Sequence, residues 1–269
     1  SNIFVGRGAA AQATTLANSI GIGAAALDAA TTGDQRNVAI GGSALGSYTN
    51  AGTDNVYNIA IGVGAAELLT AGIQNVVIGG NALSAATTQA DDNVAIGYGA
   101  MDGAIGTEDV DDCVAIGSGA LSGALEEEAA GSVAIGKSAL AGITSGERNT
   151  AVGYQAAKDI TAADDNVAVG YLALTGSSNT GSIQNVAIGN YTLDNLGANA
   201  GVKNTAVGHN ALTAVTTGDE NCALGRGAGM GVSTGLENTC LGTGSGSSTT
   251  TGSDNTFVGF SAAADANSD

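Results

Sequence analysis

Apolar and small residues recur along the chain in one fixed order, seen most plainly at Asn185-Val186-Ala187-Ile188-Gly189 with Thr192-Leu193 shortly after. Taking the glycine as a marker, copies fall at Gly6, Gly23, Gly41, Gly62, Gly79, Gly97, Gly117, Gly136, Gly153, Gly170, Gly189, Gly208, Gly225, Gly242 and Gly259, fifteen in all, spaced 17 to 21 residues apart. A unit repeated on this scale specifies a solenoid, in which each coil covers the apolar surface of the one before. The expected fold is all-β, a parallel β-solenoid of about 15 coils of 17–21 residues.

Within the unit, the residue before the marker is aliphatic in every copy, from Val5 to Val258. Two residues earlier the chain is β-branched everywhere except Cys222. Apolar positions two apart and rich in Val, Ile and Thr predict a short strand, and we read the pre-marker column as the core. The position between is alanine in ten copies, Ala187 among them, and lies on the opposite face. That column of methyl groups is expected to pack against identical chains in a symmetric oligomer. At the ends it carries Phe4, Cys240 and Phe257 instead, larger residues expected to close the stack. After the marker, an alanine three residues on and then usually leucine predict a second strand, so that each coil is two strands bent about the glycine. Stretches such as Thr213 to Glu220 read as surface loops, because Thr, Gly, Asp and Asn supply turn conformations. The unit begins with Asn in twelve copies and with Ser19, Cys113 or Ser132 in the others. Stacked in register at about 4.8 Å, these amides would hydrogen-bond as a ladder.

Composition narrows the picture. With 44 Gly, nine aromatics, no Trp and no Pro, the chain builds a thin, repeated core rather than a thick globular one. Proline is excluded where every strand must donate to its neighbour. The repeat fills the chain, which predicts a single solenoid domain over 1–269. Its start at Ser1, inside a repeat, suggests a piece of something longer. A net charge of −18, from 25 acids against seven bases, argues against nucleic acid and anionic membranes as partners. No apolar run is long enough to span a bilayer. Cys113, Cys222 and Cys240 occupy three different columns, a layout of small residues rather than of a disulfide framework or metal site, and free thiols suit assembly in a reducing compartment.

The segment Ser132-Val133-Ala134-Ile135-Gly136-Lys137-Ser138-Ala139 resembles the head repeat of trimeric autotransporter adhesins. The units at Asn149 to Gly153 and Asn204 to Gly208 are similar to repeats in bacteriophage tail fibres and other microbial surface proteins. The resemblance implies a left-handed parallel β-roll, a homotrimer of parallel rods around one axis, and a role in attachment to a host or cell surface. It also implies a place on an extracellular fibre, whether a virion tail fibre or a bacterial cell surface.

Candidate chemistry is sparse. Asp92, Asp112, Asp165, Glu220, Glu237 and Asp254 stand immediately before the motif and would form a column of like charge. With oxygen-rich loops such as Ala90-Asp91-Asp92-Asn93, they are weak candidates for Ca²⁺, set against the simpler reading of solvated, solubilising acids. His209 follows its marker glycine where other copies carry Tyr98, Tyr154, Tyr171 or Phe260, a column that could stack on sugars or pack over a turn. No nucleophile, base and acid stand out from the repeat, and Gly225-Arg226-Gly227-Ala228-Gly229 is one more copy of the turn, so neither an enzyme nor a cofactor is expected. The expected function is adhesive and structural, with self and a surface glycan or protein receptor as partners. The alternative is a self-assembling spacer that binds nothing else.

Overall fold

Every three-residue run before a marker glycine is a strand. In a computed structural model of the chain, residues 1–30, 36–49, 56–86, 90–103, 110–125, 130–176, 183–197 and 201–263 are described. The seven intervening stretches and residues 264–269 of the expected domain lie outside them. The strands are β1 (Ile3–Val5), β2 (Ile20–Ile22), β3 (Val38–Ile40), β4 (Ile59–Ile61), β5 (Val76–Ile78), β6 (Val94–Ile96), β7 (Val114–Ile116) and β8 (Val133–Ile135) in a first compact unit, Ser1–Lys137. A second unit, Ser138–Asp269, holds β9 (Thr150–Val152), β10 (Val167–Val169), β11 (Val186–Ile188), β12 (Thr205–Val207), β13 (Cys222–Leu224), β14 (Thr239–Leu241) and β15 (Thr256–Val258).

Within each unit successive strands pair in parallel without slippage, column on column: Ala39 with Ala60 in the first, Ala187 with Ala206 in the second. Counting the pairings, seven in the first unit and six in the second, gives thirteen solenoid turns. No helix occurs among the described residues. The fold is a parallel β-solenoid, and its core sits inside the coils of each unit.

The facing of the strands is the reverse of the one expected. Ala39, Ala60, Ala95, Ala151, Ala187 and Ala223 are fully buried, whereas the aliphatic column before the marker is half-exposed to exposed, Ile188 at 39% and Val258 at 64%. The alanine column is therefore the inner wall of each chain and cannot be the surface that meets identical chains. Period-two patterning states that two faces differ but not which is inside. Here the space decides: opposite most strands, the residue four after the marker, usually leucine as at Leu140 or Leu212, and a further apolar residue three beyond it, such as Ile143, Ile160, Val215 or Val232, are buried and leave room for little more than a methyl group. A Cβ at Gly246 would lie 3.0 Å from the Phe257 ring, and one at Gly21 would lie 3.1 Å from Phe4, so each end aromatic is seated over a glycine.

The second expected strand does not form among the described residues. After the marker the backbone alternates left- and right-handed, with positive φ at Ser138 and Leu140, Tyr191 and Leu193, or Asn210 and Leu212. Its N–H groups still bind neighbouring coils, as in Leu212 N to Ala228 O (3.0 Å), so the run is laddered but not extended. The marker glycine enables this bend: at Gly62 φ is +143°, and a Cβ there would meet the Gly79 carbonyl oxygen at 2.4 Å.

The expected asparagine ladder is present. Asn58, Asn75, Asn166, Asn185, Asn204, Asn221 and Asn238 are all buried. Each amide oxygen accepts the backbone N–H of the equivalent residue one coil on, as between Asn75 N and Asn58 (2.9 Å), and each amide nitrogen donates to a loop carbonyl, as from Asn58 to Gly72 (2.7 Å). Asparagine suits the position because one short side chain both accepts and donates where no water reaches.

Candidate functional site

Three surfaces of the coil carry polar or exposed chemistry. The first is the acidic column. Asp92, Asp112, Asp165, Glu220, Glu237 and Asp254 occupy equivalent corners, all with φ between 56° and 59°. The same corner holds bases in other coils, which breaks the expected run of like charge. Arg148 donates through Nε to Asp165 (2.7 Å) and also pairs with Glu147, while Lys203 reaches Glu220 at 3.3 Å. The guanidinium, chiefly by hydrogen bonding, holds the Asp165 carboxyl below its ordinary range and is itself raised in return. Among the described residues no three metal-binding side chains converge on a point. The preceding acids, Asp91 of the expected Ca²⁺ loop among them, hold coils together: Asp91, Asp164 and Asp219 accept the backbone N–H groups of Ile73 (2.8 Å), Glu147 (3.0 Å) and Val202 (2.9 Å) in the previous coil.

The second surface follows the marker glycine. In the second unit the first residue after the marker is exposed in every coil: Tyr154, Tyr171, Asn190, His209, Arg226, Thr243 and Phe260. Backbone hydrogen bonds from the next position hold this column in register, such as Tyr191 N to Tyr171 O (3.0 Å) and Gly244 N to Arg226 O (2.9 Å). Tyr154 and Tyr171 stack with centroids 5.4 Å apart at 12°. Tyr191 meets Tyr171 edge-on at 5.2 Å and His209 at 5.8 Å. The Tyr191 phenol, first by charge when ionised, pushes the Tyr171 phenol above its ordinary range. The structure thus gathers Tyr154, Tyr171 and His209 from the expected column and adds Tyr191, one position later, which only the turn geometry brings into line. Further on, Asn210, Arg226, Met230, Thr243 and Phe260 line an open pocket of about 270 Å³.

The third surface is the outer strand face. Ile3, Ile22, Ile59, Ile78 and Ile135 in the first unit, and Ile188, Leu224, Leu241 and Val258 in the second, expose large apolar side chains in an ordered stripe. Cys222 is exposed on this face, whereas Cys113 and Cys240 are buried and their thiols are raised by that burial to about 11.

The chain was compared with family models, curated proteins and solved structures, and matched none of them.

Proposed function

We propose that the chain is a non-enzymatic segment of a self-associating surface fibre that mediates attachment, of the kind built from the head repeats of trimeric adhesins and tail fibres. The observation that carries this reading is the outward stripe of isoleucine, valine and leucine on the strands, Ile188 and Leu224 among them. An ordered apolar face of this kind is a burial surface in search of a partner. A copy of the same chain is the natural one, since it presents the same stripe at the same coil spacing and symmetric contact buries both. Three chains around one axis follow from the resemblance of the repeat. No acid stands in a strand column, and acids such as Asp165 and Glu220, at another corner of the coil, keep the assembly soluble.

Two measurements test the reading. Sedimentation of the folded chain should return a multiple of its 25.6 kDa mass, and a stable monomer at micromolar concentration removes the self-association. The assembled protein should adhere to a panel of bacterial and eukaryotic cells. Assembly without adhesion would make it a spacer.

A further inference from the structure

The two positions after the marker glycine contain no carboxylate in any of the fifteen copies of the repeat, although the chain holds 25 acids. In the second unit these same positions gather exposed rings into one row. Exposed rings run from Tyr154 through Tyr171 and Tyr191 to His209 at intervals of 5.2 to 5.8 Å. The strip continues over Arg226 to Phe260, which is 83% exposed and lines the pocket together with Arg226 and Asn210. Tyr154 and Tyr171 face each other, so they offer ring edges and hydroxyls to the solvent, while Phe260 has an open face.

We propose that this strip binds a neutral, linear polysaccharide laid along successive coils, with Phe260 and Arg226 holding one sugar in the pocket. The proposal supplies the receptor class for the attachment role above and rests on that reading. The chemistry points to a sugar because the open Phe260 ring can meet its C–H face while phenol, amide and guanidinium groups meet its hydroxyls. The periodicity points to a polymer. One contact set per coil, at a coil spacing of about 4.8 Å, comes close to the length of one residue in an extended β-linked chain. The charge points to a neutral one: a protein of net charge −18 repels polyanions, and the strip itself holds few bases.

The test uses the full chain and isothermal titration against β-1,4-linked glucan, mannan and chitin oligosaccharides of increasing length, with polygalacturonate as the anionic comparison. At least one neutral series should bind, with affinity rising with length until the oligosaccharide spans the strip. Phe260→Ala and Arg226→Gln, both at exposed positions, should each weaken binding by about tenfold while leaving the melting temperature in place. Tyr171→Phe, which keeps the stack, should have the smaller effect. Equal binding by the parent and the Phe260→Ala/Arg226→Gln double variant overturns the site, and preference for polygalacturonate overturns the ligand class. Adhesion to cells with no polysaccharide bound overturns the inference and leaves attachment standing. Silence in both assays overturns both.

Discussion

The side-chain oxygen of Asn204 accepts the backbone N–H of Asn221, seventeen residues on, at 2.9 Å, while its amide nitrogen donates to the carbonyl of Gly218 at 2.9 Å. One buried side chain thus joins a coil to the next at two points. Asn204→Ala strips a partner from both backbone groups, and an unpaired buried group costs about 1–3 kcal/mol. The variant should unfold at lower urea concentration by that amount. Asn204→Asp, which keeps an acceptor but loses the donor and buries a carboxyl, should also fall below the parent.

The marker glycines separate two causes of strain. Gly208 and Gly259 both have left-handed φ, at +134° and +125°, but a Cβ on Gly208 would lie 2.4 Å from the Gly225 carbonyl oxygen, whereas nothing lies within 4 Å of one on Gly259. Gly259→Ala should therefore cost only the backbone strain, about 1–3 kcal/mol. Gly208→Ala must also push two coils apart and should lower stability further. Equal losses in the two variants would show that the stacked carbonyl is irrelevant.

Thr249 occupies the interior column that Val215 and Val232 fill in the two preceding coils, and its buried hydroxyl has no hydrogen-bond partner among the described residues. Thr249→Val keeps the shape and removes the orphaned polar group. Its midpoint of thermal unfolding should rise, by an amount equivalent to about 1 kcal/mol.

Strand facing is open to a paired substitution. Ala187 is fully buried and Ile188, beside it, is 39% exposed. Ala187→Leu overfills the interior and should cost about 1–3 kcal/mol or more. Ile188→Asp should leave the far-ultraviolet circular dichroism of the coils unchanged while shifting the sedimenting species toward single chains. If Ile188→Asp unfolds the chain and Ala187→Leu does not, the faces have been assigned the wrong way round.

The Cys113 thiol is raised by burial from 9.0 to about 11. Its folded value lies above its unfolded one, so the stabilisation is whole below about pH 9 and is lost as pH climbs toward about 11, by about 2–3 kcal/mol when complete. Cys113→Ser places at this position the residue found in the same column at Ser19 and Ser132. Urea titrations across that range should show the variant losing less stability than the parent, and parallel losses would remove the thiol as the cause.

Much of the molecule was legible in the repeat. All fifteen strands, the turn at each marker glycine and the asparagine ladder follow from residue type and spacing, because each is a local demand repeated until it is unmistakable. Other features were not legible. The run around Leu140 and Leu193 looks apolar enough for a strand but adopts alternating left- and right-handed conformations. Propensity misses this, because the cost of left-handed leucine is offset by burial and by hydrogen bonds to the next coil, from Leu140 to Ala156 and from Leu193 to Ala211. Likewise, nothing in the spacing of Arg148 and Asp165 distinguishes an ion pair from two solvated charges.

Sequence alone determined that the chain coils, how often, and which residues share a column, since period and chemistry are properties of the string itself. Tertiary structure decided which face of each strand is inside, that the alanines line a narrow interior, and that Tyr191 joins Tyr154, Tyr171 and His209 in one exposed row. The physical reason is volume. A two-residue alternation is symmetric until the rest of the coil closes around it, and only then is there room for a methyl group on one side and for isoleucine on the other.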